Sequence, residues 1–154
     1  MNRREFNKSL VTISGLGAGA SLGALPLSVF AAWPQNAFDA ETTDAVAEAL
    51  YGTNGAEASD AITFKAPDIA ENGAVVPISL KADIANADSV AIMVANNPSP
   101  LTVTFEIMNP GKPDVGTRIK MGKTSQLIAL VRAEGKLYTA TSSEVKVTIG
   151  GCGG

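Results

Sequence analysis

The most reactive group in this sequence is the thiol of Cys152, the only cysteine among 154 residues. It lies between two glycine pairs, Gly150-Gly151 and Gly153-Gly154, at the end of the sequence. Glycine has no side chain to pack and loses the most conformational freedom when it is ordered, so the pattern predicts a mobile arm. Five extended residues span roughly 16–18 Å. Residues 150–154 are therefore predicted to present a nucleophilic sulfur at a distance from a folded surface.

The remaining composition excludes most kinds of active site. The chain contains no histidine, which removes Ser-His-Asp and Cys-His catalysis, c-type haem attachment and most zinc sites. No glycine-rich phosphate loop precedes a predicted helix, and the carboxylates are scattered as on an ordinary solvated surface. The sequence therefore predicts no cofactor, no metal site and no catalytic apparatus apart from the one thiol of Cys152.

The first 31 residues have the features of an export signal. Arg3 and Arg4 precede Phe6 and Lys8, and a Gly/Ala-rich apolar stretch follows from residue 10 to residue 32. This order of charged and apolar regions is typical of a twin-arginine signal peptide, with cleavage predicted after Ala31. An amino-terminal membrane anchor is the alternative, but the many glycines and a proline in the stretch make it a poor spanning helix.

Removal of residues 1–31 would leave 123 residues with a net charge of −5, enough for one domain with a hydrophobic core. An acidic domain is a poor binder of nucleic acid. A single cysteine cannot form an internal disulfide, so in an exported protein it indicates intermolecular pairing or a free reactive thiol.

One helix is predicted before the pattern changes to strands. Apolar residues from Phe38 to Tyr51 recur roughly on one helical face, Asp39 is the predicted cap, and Gly52 to Gly55 ends the helix. No second domain, internal repeat or low-complexity linker follows. A single domain is therefore predicted to span residues 32–149.

From Ile62 onward apolar residues alternate with polar ones, which predicts seven or eight short strands. The apolar positions are Val76, Ile78 and Leu80; Val90, Ile92 and Val94; Val103, Phe105 and Ile107; Ile119 and Met121; Leu127, Ala129 and Val131; residues 137–141; and Val145, Val147 and Ile149. Turns are predicted at residues 71–73, 96–100 and 109–113, and a tight hairpin at 134–136. Regular spacing after a single helix predicts a mainly β fold, an immunoglobulin-like antiparallel β-sandwich of about seven strands. Pro77 is expected on an edge strand or at an unpaired side of a strand.

A basic group interrupts the acidic background. It consists of Lys112, Arg118, Lys120 and Lys123. Strand alternation places Arg118 and Lys120 on the face opposite Ile119 and Met121. These two cations are a possible docking surface, and an ordinary solvated strand face is the alternative.

Three segments together resemble the SoxY family. They are the arginine pair near the start, the stretch Thr117-Arg118-Ile119-Lys120-Met121, and residues 145–154, VKVTIGGCGG. SoxY proteins are the sulfur-carrier subunits of the periplasmic thiosulfate-oxidising (Sox) system. The resemblance spans the whole predicted domain, and the Gly-Gly-Cys-Gly-Gly segment is its most specific part.

The resemblance implies a carrier that is not an enzyme and that is exported to the periplasm. Its thiol, Cys152, would be joined to thiosulfate by a c-type cytochrome of the SoxAX kind. A manganese thiosulfohydrolase of the SoxB kind would then release sulfate, and a molybdenum-haem sulfane dehydrogenase of the SoxCD kind would oxidise the remaining sulfur. A second small β-sandwich protein, SoxZ, is the implied heterodimer partner. An unperturbed cysteine has a pKa of about 8.5 and only Lys146 lies near in sequence, so activation of the thiol is expected from partner pockets.

Two other classes of function fit parts of the sequence. An exported adhesive sandwich could dimerise through a Cys152 disulfide. A ubiquitin-like sulfur carrier could use the Gly153-Gly154 carboxylate as a thiocarboxylate, although that chemistry needs ATP in the cytosol, and the predicted export signal argues against it.

Overall fold

The computed structural model describes residues 33–148, in which two short helices precede nine strands. The helices are α1 (Gln35–Phe38) and α2 (Thr43–Tyr51). The strands are β1 (Glu57–Ala58), β2 (Ile62–Lys65), β3 (Ile69–Ala70), β4 (Val76–Ala82), β5 (Ala87–Val94), β6 (Leu101–Gly111), β7 (Asp114–Ile119), β8 (Ser125–Ala133) and β9 (Lys136–Val147). Only β1 and β3 are two-residue strands, so seven longer strands form the body of the described part, as predicted.

The strands form two sheets. One has the order β1-β9-β8-β5-β6, with β3 also pairing to β9, and the other has the order β2-β4-β7. The longer strands pair antiparallel, whereas the two-residue strands β1 and β3 lie parallel to β9. The predicted class, a mainly β immunoglobulin-like sandwich, is confirmed.

The alternation read from the sequence separates two cores. Val90, Ile92 and Val94 of β5 face the inner core between the sheets. The intervening Ala91 and Met93 belong to a second core, in which α1 and α2 cover the outer face of the larger sheet. Because both of its faces are covered, β5 is apolar along most of its length.

The single helix predicted over residues 38–51 is wrong in its boundaries. Thr42 has extended backbone angles and lies between α1 and α2, so the main helix begins only at Thr43. The Oγ1 atom of Thr42 accepts a hydrogen bond from Ala45 N at 3.2 Å. Thr42, not Asp39, is therefore the cap of the main helix. Its side chain accepts from Ala45 N, an amide of the first turn that has no partner within the helix. Asp39 instead ends α1, where it accepts a hydrogen bond from Gln35. Gly52 ends α2 with a positive φ of 70°, as predicted.

The predicted hairpin between β8 and β9 is confirmed. Ala133 pairs with Lys136, and the two loop residues, Glu134 and Gly135, have φ values of 50° and 76°. Positive φ at both positions is the two-residue turn that matches strand twist.

Two predicted strand ends are wrong. The segment 109–111 was expected in a turn, but β6 continues to Gly111, which pairs with Ala87 after a bulge. Residues 137–141 and 145–149 were expected as separate strands, but residues 137–147 all belong to β9, and a register shift opposite residues 126–128 accommodates the interruption. Ile149 lies outside the described residues. A bulge lets a strand continue past residues that break its alternation.

Pro77 lies in the central strand of the smaller sheet and still meets the predicted condition. Pairing between β2 and β4 stops at Lys65 and Ser79, so β4 has no paired strand on that side at Pro77. A proline is tolerated there because no ladder hydrogen bond is required of it.

Candidate functional site

The last described residues before the predicted arm, 146–148, are held on one side by β3. Strand β9 ends at Val147, which pairs in parallel with Ala70, and Lys146 pairs with Ile69. Lys146 N donates to Asp68 O at 2.9 Å, and Thr148 N donates to Ala70 O at 3.1 Å. We call residues 146–148 the arm root.

The other side of the arm root is held by a side chain. β8 begins at Ser125, opposite Val145, so the backbone of β8 offers no pair to Val147. The hydroxyl of Thr124, the residue just before β8, accepts from Val147 N at 3.0 Å. The threonine thus extends the ladder by one hydrogen bond beyond the last strand pair.

Gly73 allows the neighbouring loop to approach the arm root. Met121 N donates to Gly73 O at 2.7 Å. A Cβ atom on residue 73 would lie 2.4 Å from Met121 O and 2.8 Å from a methyl group of Val147. Any residue larger than glycine would therefore push the loop or the root away.

Two asparagines from the turn between β5 and β6 fix the loop that contains Thr124. Asn97 donates to Lys120 O at 2.8 Å and accepts from Gly122 N at 2.9 Å. Asn96 donates to Thr124 O at 2.8 Å. Both ends of the segment 120–124 are therefore tied to the same turn.

The four residues of the predicted basic group have different surroundings in the structure. Lys112 forms a salt bridge with Asp83. Arg118 and Lys120 are exposed while Ile119 and Met121 are buried, as strand alternation predicted. Within residues 33–148 only Lys81, Lys112 and Arg132 form salt bridges, so Arg118 and Lys120 are unpaired like most of the other lysines. Lys120 and Lys123 also belong to the loop that supplies Thr124.

Apolar side chains are exposed on the β3 side of the arm root. Ile69 is 56% exposed and Val75 is 50% exposed. Together with Pro67 and Pro77 they line a surface cavity of about 370 Å³. This surface was not predictable from the sequence, because a two-residue strand is too short to show an alternating pattern.

The residues of the predicted site lie largely outside the described part. Cys152, Gly150, Gly151, Gly153 and Gly154, together with Arg3 and Arg4 of the export signal, all fall beyond residues 33–148. What the structure adds is the support of the arm, namely Gly73, Asn96, Asn97 and Thr124. The asparagines were recognised only as turn residues, and no sequence pattern marks a threonine that bonds a strand 23 positions later.

Membrane-spanning helices and metal-binding clusters are both absent from the described residues. Between residues 33 and 148 no helix is long and apolar enough to cross a membrane. In the same range no three acidic, cysteine or histidine side chains come together as a metal site would require.

Comparison with known proteins identifies the family. The family described as "Sulfur oxidation protein SoxY" matches residues 47–152. The chain belongs to the SoxY family. One solved structure, the sulfur carrier protein SoxY from Chlorobium limicola f thiosulfatophilum, is 43% identical over 66% of this chain and 92% of its own, with a TM-score of 0.59.

Other comparisons add little to the SoxY assignment. An engineered protein of known structure is 12% identical over 57% of this chain and 20% of its own, with a TM-score of 0.38. This similarity is too low to indicate a shared fold or function. None of the curated proteins matches the chain.

Proposed function

We propose that this SoxY-family chain is a sulfur carrier for thiosulfate oxidation that holds its cargo covalently on Cys152. The observation that carries the proposal is the family match, which extends through Cys152 itself. The arm root supports it, because residues 146–148 are held by hydrogen bonds from both sides. The chain would supply the thiol to which the cargo is attached, and partner enzymes would catalyse the reactions.

The proposed cycle consists of loading of the thiol, hydrolysis of the adduct and oxidation of the remaining sulfur. The Cys152 thiol would lose its proton and form an S–S bond to thiosulfate, and the two electrons removed would pass to a c-type cytochrome of the SoxAX kind. In a SoxB-like manganese enzyme, water would then attack the terminal sulfonate and break its S–S bond, releasing sulfate and two protons and leaving a persulfide anion on Cys152. A SoxCD-like dehydrogenase would oxidise that sulfane sulfur further.

The proposed partners would meet the carrier near its arm root. Arg118 and Lys120 are exposed and free of salt bridges within the described residues, which supports a docking role for anionic partner surfaces. A SoxZ-like β-sandwich subunit is the proposed heterodimer partner. The proposed function involves neither binding of nucleic acid nor a stable membrane anchor.

The cargo itself is the direct test of the proposal. We expect intact-mass spectrometry of the protein from its native host to show a mixture of thiol, sulfane and thiosulfonate forms, and treatment with a reducing agent to convert the two adducts to the thiol. The matched control is Cys152→Ser, which should show one unmodified mass. A protein isolated only as a Cys152–Cys152 dimer would favour the adhesive sandwich instead.

We further infer that residues 1–31 direct export to the periplasm through the twin-arginine pathway. The motivation is the pair Arg3-Arg4 before an apolar stretch. Amino-terminal sequencing of the periplasmic form should find a start near Ala32, and Arg3→Lys with Arg4→Lys should leave precursor in the cytoplasm. Finding Met1 on the periplasmic protein would contradict this prediction.

A further inference from the structure

Strand β7 forms an open edge of the smaller sheet. It pairs with β4 from Asp114 to Ile119 without a register shift, and within residues 33–148 no strand pairs with its other side. The strand contains neither proline nor lysine, two residues with which proteins commonly protect exposed edges from pairing. By contrast, the pairing of the other open edge strand, β6, with β5 is interrupted by register shifts. Strand β7 is therefore the regular edge to which another strand can be added.

The register with β4 shows which backbone groups of β7 face outward. In an antiparallel pair, opposite residues either bond each other or both point away from each other. Ala82 N donates to Pro113 O at 2.9 Å, so these two residues form a bonded pair just before the strand begins. Every second residue from the next one onward therefore directs its N–H and C=O groups away from β4. These outward residues are Asp114, Gly116 and Arg118.

We propose that this edge pairs antiparallel with β7 of a second copy of the chain, about a two-fold axis at Gly116. In that register Asp114 lies opposite Arg118 of the second copy, and all three outward residues of each copy find backbone partners. The inference goes beyond the proposed carrier function and does not depend on it. It gives Arg118 a partner other than the anionic surface of another protein.

The charges on the strand fit this self-pairing. Asp114 and Arg118 are both exposed and lie on the same face of the sheet. Opposite charges directly across an antiparallel pair stabilise it, and two-fold symmetry forms the contact twice. Asp114 already binds Lys81 at 2.8 Å, but both side chains are mostly exposed, and a carboxylate can accept from a second cation. The strand is therefore complementary in charge to its own copy.

Gly116 is not explained by the fold of a single chain. Its φ is not in the left-handed region, and an added Cβ would lie 3.9 Å from Ile78 O, which is an ordinary contact. Glycine inside a strand costs stability relative to alanine, and it often marks a point where another backbone approaches closely. The proposed two-fold axis supplies that second backbone.

Apolar side chains are partly exposed on the same side of the sandwich. Only two residues link β6 to β7, which allows about 11 Å between the strand ends. Packed sheets lie about 10 Å apart, so the two open edges lie nearly above each other at this end. Val103 and Phe105 of β6 and Val115 of β7 pack against the inner core but are only partly buried. A second copy beside both edges would bury more of this apolar surface.

Outside β7 the same register brings one pair of like charges together. Lys120 would lie opposite Lys112 of the second copy, but Lys112 forms a salt bridge with Asp83. The carboxylate of Asp83 offsets the repulsion between the two lysines. Because the paired edge is short, the dimer is expected to be weak and to form at high protein concentration.

The test measures self-association of the protein purified from its native host, in a reducing buffer that excludes a Cys152 disulfide. Analytical ultracentrifugation should show a monomer–dimer equilibrium. Arg118→Asp and Asp114→Arg should each raise the dimer dissociation constant roughly tenfold or more, because attractive cross-strand pairs become repulsive. Lys65→Asp is the matched control, since Lys65 is exposed on β2 at the opposite edge of the same sheet. The same change of charge there should leave the dimer unchanged.

An equimolar mixture of the two charge variants is the sharpest measurement. One variant carries two cations on β7 and the other carries two anions, so a mixed pair regains both attractive contacts. Mixing should therefore restore dimer formation, which misfolded variants could not do. In the parent protein, amide hydrogen exchange should slow at Gly116 and Arg118 as the protein concentration rises. It should not change at Thr117, whose amide faces β4.

Several outcomes would overturn the inference. They are a protein that stays monomeric at millimolar concentration, a dimer that disappears on reduction, and a mixture of the charge variants that does not dimerise. Protection of the Gly116 and Arg118 amides only after addition of a SoxZ-like subunit would also overturn it, because the edge would then belong to the heterodimer. None of these outcomes bears on the carrier function, which Cys152→Ser tests separately.

Discussion

Replacement of Cys152 by serine is expected to abolish thiosulfate-dependent cytochrome reduction while leaving the fold unchanged. A hydroxyl cannot form the S–S bond on which the proposed cycle depends, so no residual loading is expected. The described core consists of the two clusters around β5 and includes no cysteine. The free energy of unfolding should therefore change by no more than the roughly 0.5 kcal/mol seen at exposed positions.

Reconstituted turnover and thermal unfolding measure the two halves of this prediction. Full activity of Cys152→Ser would falsify the covalent carrier, and a large drop in the thermal midpoint would show that the segment packs into the core. Alkylation of the wild-type thiol separates the alternatives, because a thiocarboxylate carrier would survive it. Reduction separates them again, since a carrier needs the free thiol to load whereas a disulfide-linked adhesive protein would lose its function.

Gly151→Val and Gly153→Val are expected to reduce turnover sharply without changing the circular dichroism spectrum. Valine adds a stiff, branched side chain beside the thiol and restricts the backbone on either side of it. If Cys152 must enter narrow partner sites, both the added volume and the lost rotation oppose entry. The loss should appear with each partner enzyme in turn, because the constraint belongs to the arm.

Gly55→Val is the matched control for these variants. Gly55 is exposed, its φ is not in the left-handed region, and the nearest side-chain atom to an added Cβ is 3.5 Å away. The same chemical change there should leave turnover at the wild-type value. Normal turnover in both arm variants, with Cys152 still essential, would refute the explanation of the glycines as a thin, freely turning arm.

The longer strands were predictable because their packing follows local periodicity. Val90, Ile92 and Val94 alternate in the sequence and face one core in the structure. The Glu134-Gly135 hairpin was predictable for a related reason, since a two-residue loop requires positive φ and glycine adopts it without strain.

The support of the arm was not predictable, because it depends on contacts between distant segments. β1 and β3 are two residues long, and their parallel pairing with β9 leaves no pattern in the sequence. The bond between Thr124 and Val147 arises only because β8 begins at Ser125, two residues too late to pair with Val147. The break at Thr42 was missed because helical periodicity continues across it, while the threonine side chain favours a new start.

The position of β9 inside its sheet determines how the domain resists a pull on the arm. A partner that retains the cargo while diffusing away would draw on β9 along its own axis. Strand β8 lies on one side and β1 and β3 on the other, so such a force would load many hydrogen bonds in shear at once rather than open them one at a time. Strand β9 is thus held along its whole length by its neighbours. The partner should therefore separate from the cargo before β9 is pulled out of its sheet.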